Sequence, residues 1–261
     1  MVPRPRRRVL NESDMYRELP PPPPLAAHVM CLWTRDGPAA DRVLPDGCVD
    51  IVWTGERLLV AGPATRAVIP AVPDDDTKLG IRFRTGAAAQ ALGLPAAELR
   101  DESVALEEIW GARGRDLSER VAEAPSAQHR LRLLSFAVAD VPAPDPLVRA
   151  AVRELADPRT RVFELCKSLF ISERQLRRRI EEAVGYSPRT LARVLRLQRF
   201  LMLAERDGDD LARLAADAGY ADQSHLTRDC SELGGLPAGA LLAAGAVPAG
   251  ERFVRAAGDG V

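Results

Sequence analysis

The chain has 261 residues, of which 46% are apolar and 28% charged, with a formal net charge of −1 at pH 7. That length allows one or two domains with real cores, and no apolar run approaches the roughly 20 residues a membrane-spanning helix needs. Near-neutral charge governs solubility and long-range steering, so any anionic partner must be held by local clusters. Cys31, Cys48, Cys166 and Cys230 are scattered with no CxxC pair, and the only histidines are His28, His129 and His225. This supply predicts free thiols, no metal site and no cofactor.

Residues 1–15 read as a disordered lead. Its basic start, Met1 to Arg8, is not followed by the apolar run of a signal peptide, so the expected location is the cytoplasm. Pro20 to Pro24 is a run of prolines expected in extended polyproline II, as a ligand for a proline-binding module or as a stiff arm into the first strand. Strand-like runs follow at His28–Thr34, Cys48–Trp53 and Leu58–Ala61. Pro45-Asp46-Gly47 supplies turn chemistry, because proline sets φ and glycine allows it to be positive. Gly62-Pro63, Pro70 and Pro73 to Asp76 punctuate further. Lys78–Arg84 alternates, with Leu79, Ile81 and Phe83 on one face and Lys78, Arg82 and Arg84 on the other. Short, closely spaced strands suggest a small antiparallel barrel or sandwich.

From Gly86 the character becomes helical: Ala87–Leu92, a turn at Ala96–Leu99, Val104–Trp110, then Asp116–Glu123 and Ala127–Val138 as a hairpin across Pro125. Val141 to Pro146 breaks the pattern and marks a domain boundary. Asp46, Cys48 and Asp50 gather near one turn, with Arg82 on a charged strand face, and these four are the candidate effector pocket. The plainer alternatives are a capped turn at Asp46, a small buried residue at Cys48 and a solvated strand face at Arg82. His28 alone is too little for the metal chemistry of cupin barrels.

Beyond the boundary, Leu147–Leu155 reads as a packing helix and Arg161–Phe170 as a support helix, with Val162, Leu165, Cys166 and Leu169 on one face. Ser172 is a natural N-cap for Glu173–Glu182. Leu176 and Ile180, four apart, must face inward, which turns Arg174, Arg177 and Arg178 outward. Ser187-Pro188 starts a long linking helix, with Leu191, Val194, Leu195, Phe200 and Leu201 inward and Arg189, Arg193, Arg196 and Arg199 outside. About 18 residues span roughly 27 Å. A second unit follows, Leu211–Cys230, in which Asp222 caps Gln223–Glu232. Leu226 and Cys230 face inward, and Gln223, Ser224, Thr227 and Arg228 outward. Each unit is helix, tight turn, helix, the layout that places its second helix in a DNA major groove.

The motifs Ala215-x3-Gly219-Tyr220-x-Asp222-x-Ser224-His225-Leu226-x-Arg228 and Gly185-Tyr-Ser-Pro188, about 50 residues apart, resemble the DNA-binding domain of AraC-type transcriptional regulators. The resemblance covers roughly the last 100 residues. It implies that Arg174, Arg177, Arg178, Gln223, Ser224 and Arg228 meet bases and Thr227 the backbone. Cys230 stands where a phenylalanine is usual, and Asp229 and Glu232 place acid on a helix expected to approach phosphates. Leu44-Pro-Asp-Gly-Cys-Val-Asp50, Ala61-Gly-Pro63, Gly80-Ile-Arg-Phe-Arg84, Gly86-Ala-Ala-Ala89 and Glu98-Leu-Arg-Asp101 resemble a sensor-like domain on AraC-type regulators of high-GC bacteria, which implies a cupin-like barrel followed by helices.

The expected fold class is therefore α+β: an antiparallel β-barrel with following helices over 1–140, an all-α tandem helix-turn-helix over 145–243 and a flexible tail over 244–261. The expected function is a bacterial, sequence-specific, non-enzymatic regulator or activator of transcription. Its expected partners are double-stranded DNA, a small-molecule effector at the N-terminal half and a second copy in a homodimer. Two alternatives stay open: a thiol-based redox sensor using Cys48 or Cys31, and an interaction protein with a degenerate second motif.

Overall fold

In the computed structural model the described residues are 16–36, 42–68, 77–208 and 210–244. The expected lead over 1–15, the breaks at Pro70 and Pro73 to Asp76, and the tail beyond Ala244 lie outside them.

The N-terminal half is built on one antiparallel sheet of six strands in the order β1-β2-β5-β3-β4-β6. These are β1 (Tyr16–Leu19), β2 (Val29–Arg35), β3 (Asp50–Trp53), β4 (Leu58–Ala61), β5 (Lys78–Phe83) and β6 (Ser103–Ala105). The antiparallel pairing is as the sequence implies, but among the described residues the sheet is open, ending at β1 and β6. Register is fixed by a row of β-branched and aliphatic side chains. Leu32 pairs with Ile81, Ile81 with Ile51, and Ile51 with Val60. A one-residue slip would turn this row away from its core.

Helices α1 (Ala88–Leu92), α2 (Leu106–Trp110), α3 (Ala112–Glu123) and α4 (Ala127–Ala137) follow. Leu106, Leu117, Val121, Leu131 and Leu134 from these helices share one core with that row. Several boundaries differ from expectation. Val104 and Ala105 are strand β6, not helix, because they pair with Val60 and Leu59. α3 begins four residues before Asp116, directly after Gly111 at φ +60°. The proline run is not uniformly extended: Pro22 is, but Pro23 and Pro24 enter a 3-10 turn closed by Leu25 N donating to Pro22 O at 2.8 Å. Proline fits a first helical turn because its missing N–H has no partner there.

The C-terminal half holds α5 (Pro146–Leu155), α6 (Val162–Ser168), α7 (Glu173–Val184), α8 (Pro188–Asp207), α9 (Leu211–Ala218), α10 (Gln223–Gly234) and α11 (Ala238–Ala243). It has two cores that meet on α8. Leu155, Leu165, Leu176, Ile180, Leu191 and Val194 form the first. Leu197, Phe200, Leu201, Leu214, Leu226 and Cys230 form the second.

The two halves touch closely. Tyr186 Oη donates to the Ala64 carbonyl, and a Cβ on Gly86 would lie 2.7 Å from Val148 Cγ1. Gly185 ends α7 at φ +84° with its N–H on Glu181 O. A Cβ there would stand 2.6 Å from Pro63 Cγ and 3.0 Å from Ala96 O. Gly185→Ala is expected to cost about 1–3 kcal/mol, part from the left-handed backbone and part from overpacking at the junction. Urea unfolding of the two proteins measures it.

Candidate nucleic-acid interface

The first unit presents α7. Its start is fixed locally by a capping box: Gln175 N donates to Ser172 Oγ at 3.2 Å and Ser172 N to Gln175 Oε1 at 2.9 Å. Leu176, Ile180 and Val184 are fully buried, so Arg174, Arg177 and Arg178 stand on the exposed arc, where the sequence put them. Two are held along the helix in the free protein. Arg177 Nε is 2.8 Å from Glu181 Oε1, and Arg178 Nε is 3.9 Å from Glu182 Oε1. Such i,i+4 surface pairs contribute about 0.3–0.5 kcal/mol. A bidentate arginine–guanine contact is worth about 1–3 kcal/mol in discrimination, so exchanging one for the other is favourable. Arg179 points elsewhere, with Nη1 2.6 Å from Asp145 Oδ2, the carboxylate that also caps α5. The last turn of α7 is docked on the N-terminal half, while its first two turns stay exposed.

The second unit presents α10. Asp222 caps it, accepting from His225 N at 2.7 Å, and the His225 ring packs edge-on against Tyr220 with centroids 5.1 Å apart. Gln223, Ser224, Thr227 and Arg228 line one open depression of about 550 Å3 together with Ser231. Ser231 escaped the sequence reading. Its spacing from Thr227 and Arg228 at i+4 and i+3 carries the signal. All these side chains offer hydrogen-bond donors or acceptors, and Ser231 Oγ donates to the Thr227 carbonyl at 2.9 Å.

Of the two acids on the helix expected to approach phosphates, Glu232 is exposed and Asp229 is not. Asp229 is only 2% exposed, and Arg193 of α8 donates to its Oδ1 from Nη2 at 2.7 Å and Nε at 3.1 Å. The same guanidinium pairs with Glu232. The expectation for the arginines of α8 is corrected: they do not simply line the outside. Arg193 holds α10, Arg196 lies 5.4 Å over the Tyr220 ring, and Arg199 Nε donates to Asp217 O at 3.1 Å. Three of the four fasten the second unit to the linking helix. Of these four only Arg189 is exposed, as is Arg206 near the end of α8. At 20 residues, α8 is about 30 Å long, close to one duplex turn of roughly 34 Å.

The four residues of the candidate effector pocket come together on the sheet face opposite the apolar row. Arg82 makes a bidentate contact with Asp50, Nε to Oδ1 and Nη2 to Oδ2 both at 3.0 Å, and its Nη1 lies 3.8 Å from Asp46 Oδ2. Asp46 also caps its turn by accepting from Cys48 N at 2.8 Å. Cys48 is buried, its Sγ 3.9 Å from Thr85 Oγ1. The solvated reading does not hold for Arg82, whose side chain is only 16% exposed, while Lys78 is half-buried and Arg84, just past β5, is exposed. Burial raises the Asp50 carboxyl above its ordinary range, against the pull of Arg82.

Sequence reasoning missed Glu18 because it did not find β1, and it placed Cys31 and Trp33 on a strand without seeing that they face this cluster. Glu18 pairs across with Trp33, and Cys31 with Arg82. Glu18 is 3% exposed, accepts from Tyr16 Oη at 2.8 Å and keeps Oε2 buried without a partner. The Trp33 indole, stacked on Tyr16 at 5.9 Å, lies towards Asp50 yet makes no well-aligned hydrogen bond from Nε1.

Burial pushes the thiols up, Cys31 and Cys230 to about 12 and Cys48 and Cys166 in the same direction. A thiolate is the reactive form, so burial works against reactivity at all four. No group of residues suited to holding a metal ion occurs among the described residues, and no helix there is long and apolar enough to cross a membrane.

Residues 165–244 match a model described as a helix-turn-helix domain, and residues 17–105 match a domain of unknown function. No curated protein matches the sequence. Among solved structures the chain is similar to ToxT from Vibrio cholerae O395, with 10% identity and a TM-score of 0.44, covering 90% of this chain and 98% of that one. It is also similar to wild-type ToxT of Vibrio cholerae strain SCE256 with an unsaturated fatty acid bound, with 14% identity and a TM-score of 0.41 over 89% and 96% of the two chains.

Proposed function

We propose that this chain, which carries an AraC-type helix-turn-helix domain and so belongs with DNA-binding transcriptional regulators, reads two successive major-groove segments through α7 and α10. One observation carries the reading: two capped, polar-faced helices stand exposed, α7 just before the 20-residue α8 and α10 packed against α8 through Arg193, with Glu181, Glu182, Asp229 and Glu232 each paired with an arginine. Arg174, Arg177 and Arg178 read one segment. Gln223, Ser224 and Arg228 read the other, with Thr227 on phosphate. The N-terminal half supplies the input, an effector taken up by the Glu18, Trp33, Asp50 and Arg82 face, where the buried, unpartnered Oε2 of Glu18 suits a ligand that brings a hydrogen-bond donor.

Arg178→Ala is expected to weaken binding to a specific site by about 5- to 150-fold, the equivalent of roughly 1–3 kcal/mol, and to relax the base preference at one position. Arg189→Ala, if it loses a phosphate contact, lowers affinity for all sequences alike and the salt slope by about one unit. Titration of DNA from upstream of the protein's own and neighbouring genes, at two salt concentrations, checks both. Affinity that is low, insensitive to sequence and equal in wild type and Arg178→Ala would overturn the reading. The thiol-sensing alternative finds no support in four buried thiols whose burial opposes the thiolate.

A further inference from the structure

The second helix-turn-helix unit does not complete its own core. Its inward positions on α9, α10 and α11 include four small side chains, Ala215, Ala218, Cys230 and Ala238. Part of the remaining volume is filled from far away in sequence. Leu44, in the turn before β3 of the N-terminal half, is 8% exposed and belongs to the same core as Leu197, Phe200, Leu214 and Leu226. Three contacts hold it there. Gln198 Nε2 of α8 donates to the Pro45 carbonyl at 2.6 Å. Ala67 N donates at 2.7 Å to the carbonyl of Leu233, one of the last-turn oxygens of α10 that no helical N–H can reach. Beside them Gly47, at φ +76°, brings its turn so close to α8 that an added Cβ would lie 3.4 Å from Leu191 Cδ1.

We infer that Leu44 and its turn are positioning elements of the second DNA-reading unit: α10 keeps its reading geometry only while the N-terminal half is docked. The inference rests on the DNA-reading function proposed above, but its physical core does not depend on it. A helix pair whose core is filled by a distant side chain loses stability locally when that side chain is removed. The buried core of the first unit is drawn from the segment α5 to α8; the N-terminal half packs on it from outside, at Gly86 against Val148 and at Pro63 against Gly185, without contributing a side chain to that core.

The test uses the full chain and three variants: Leu44→Ala, Leu44→Met as the volume-conserving rescue, and Leu155→Ala as a cavity in the core of the first unit. Amide exchange is read on each free protein. Leu44→Ala is expected to speed exchange in residues 211–234 by on the order of tenfold while α7 stays as in wild type. Leu44→Met should return to wild type, and Leu155→Ala should act on α5–α7 instead. On DNA, the Leu44→Ala footprint should shorten to the segment read by α7. Unchanged exchange in α10, or an increase spread evenly over the chain, would overturn the inference, as would a full-length footprint for Leu44→Ala. A wild type that leaves no footprint anywhere would instead defeat the DNA-reading function, and the exchange result would still decide whether Leu44 supports α10.

Discussion

Arg193→Ala is expected to unfold the second unit before the rest of the chain. Asp229 is 2% exposed and takes both of its hydrogen bonds on Oδ1 from this one guanidinium, while its Oδ2 has no partner. Removing the arginine leaves a buried carboxylate with nothing to offset its lost hydration. Breaking a fully buried pair costs about 3–5 kcal/mol. Arg193 is 34% exposed on its side chain, so solvent already screens part of that attraction, and about 2–3 kcal/mol is the reasonable expectation. That is roughly a 30- to 150-fold shift in the local folding equilibrium. Urea unfolding followed by exchange in residues 211–234 reads it. Adding Asp229→Leu should recover most of the loss, since no charge is then stranded, although Glu232 loses its partner in both variants. A single variant within about 0.5 kcal/mol of wild type would show that water reaches Asp229 and that the pair is ornamental.

The same residue marks where sequence reading stops. The helices of the C-terminal half were legible because their signals are local. Ser172 with Gln175, Asp222 with His225, Pro188 at a first turn and Gly185 after a last turn each act within four residues. The inward faces of α7 and α10 followed from i,i+4 spacing. On α8 the spacing put Arg193, Arg196 and Arg199 correctly off the core, yet their partners Asp229, Tyr220 and Asp217 come from helices folded back against them. Periodicity gives a face, not what covers the face. β5 repeats the lesson: alternation separated Arg82 from Ile81 correctly, but Arg82 is itself covered because β1 and β2 extend the sheet with Glu18 and Trp33. β1 and β6, at four and three residues, are too short for any period to show. Leu44 opens a motif that resembles a sensor-like domain, yet nothing local told where its side chain goes, since its core partners lie more than 150 positions away.

Arg82→Met is expected to have the largest effect in the N-terminal half, about 3–5 kcal/mol at pH 7, because its side chain and that of Asp50 are only 16% and 11% exposed and Asp46 stands on the other side. The loss should depend on pH in a definite direction. The Asp50 carboxyl is raised above 3.8 by burial, so the folded state holds this proton more tightly than the unfolded chain. Its charge therefore destabilises the fold above the raised value, and the penalty vanishes below 3.8. Without Arg82 the opposing attraction is gone, the carboxyl moves further up and the window widens. The gap between variant and wild type should narrow as pH falls from 7 towards 4, and Asp50→Asn in the same chain should narrow it at pH 7. Urea unfolding at both pH values measures this. A gap that does not change with pH would mean that the loss comes from the packing of the arginine stem and not from stranded charge. If the gap does narrow, amide exchange in α10 gives a second readout. Asp46 sits two residues from Leu44 in one turn, so releasing Asp46 from Arg82 should loosen that turn and quicken exchange in residues 211–234. Charge on the sheet and the geometry of the second reading helix would then be linked through a single loop.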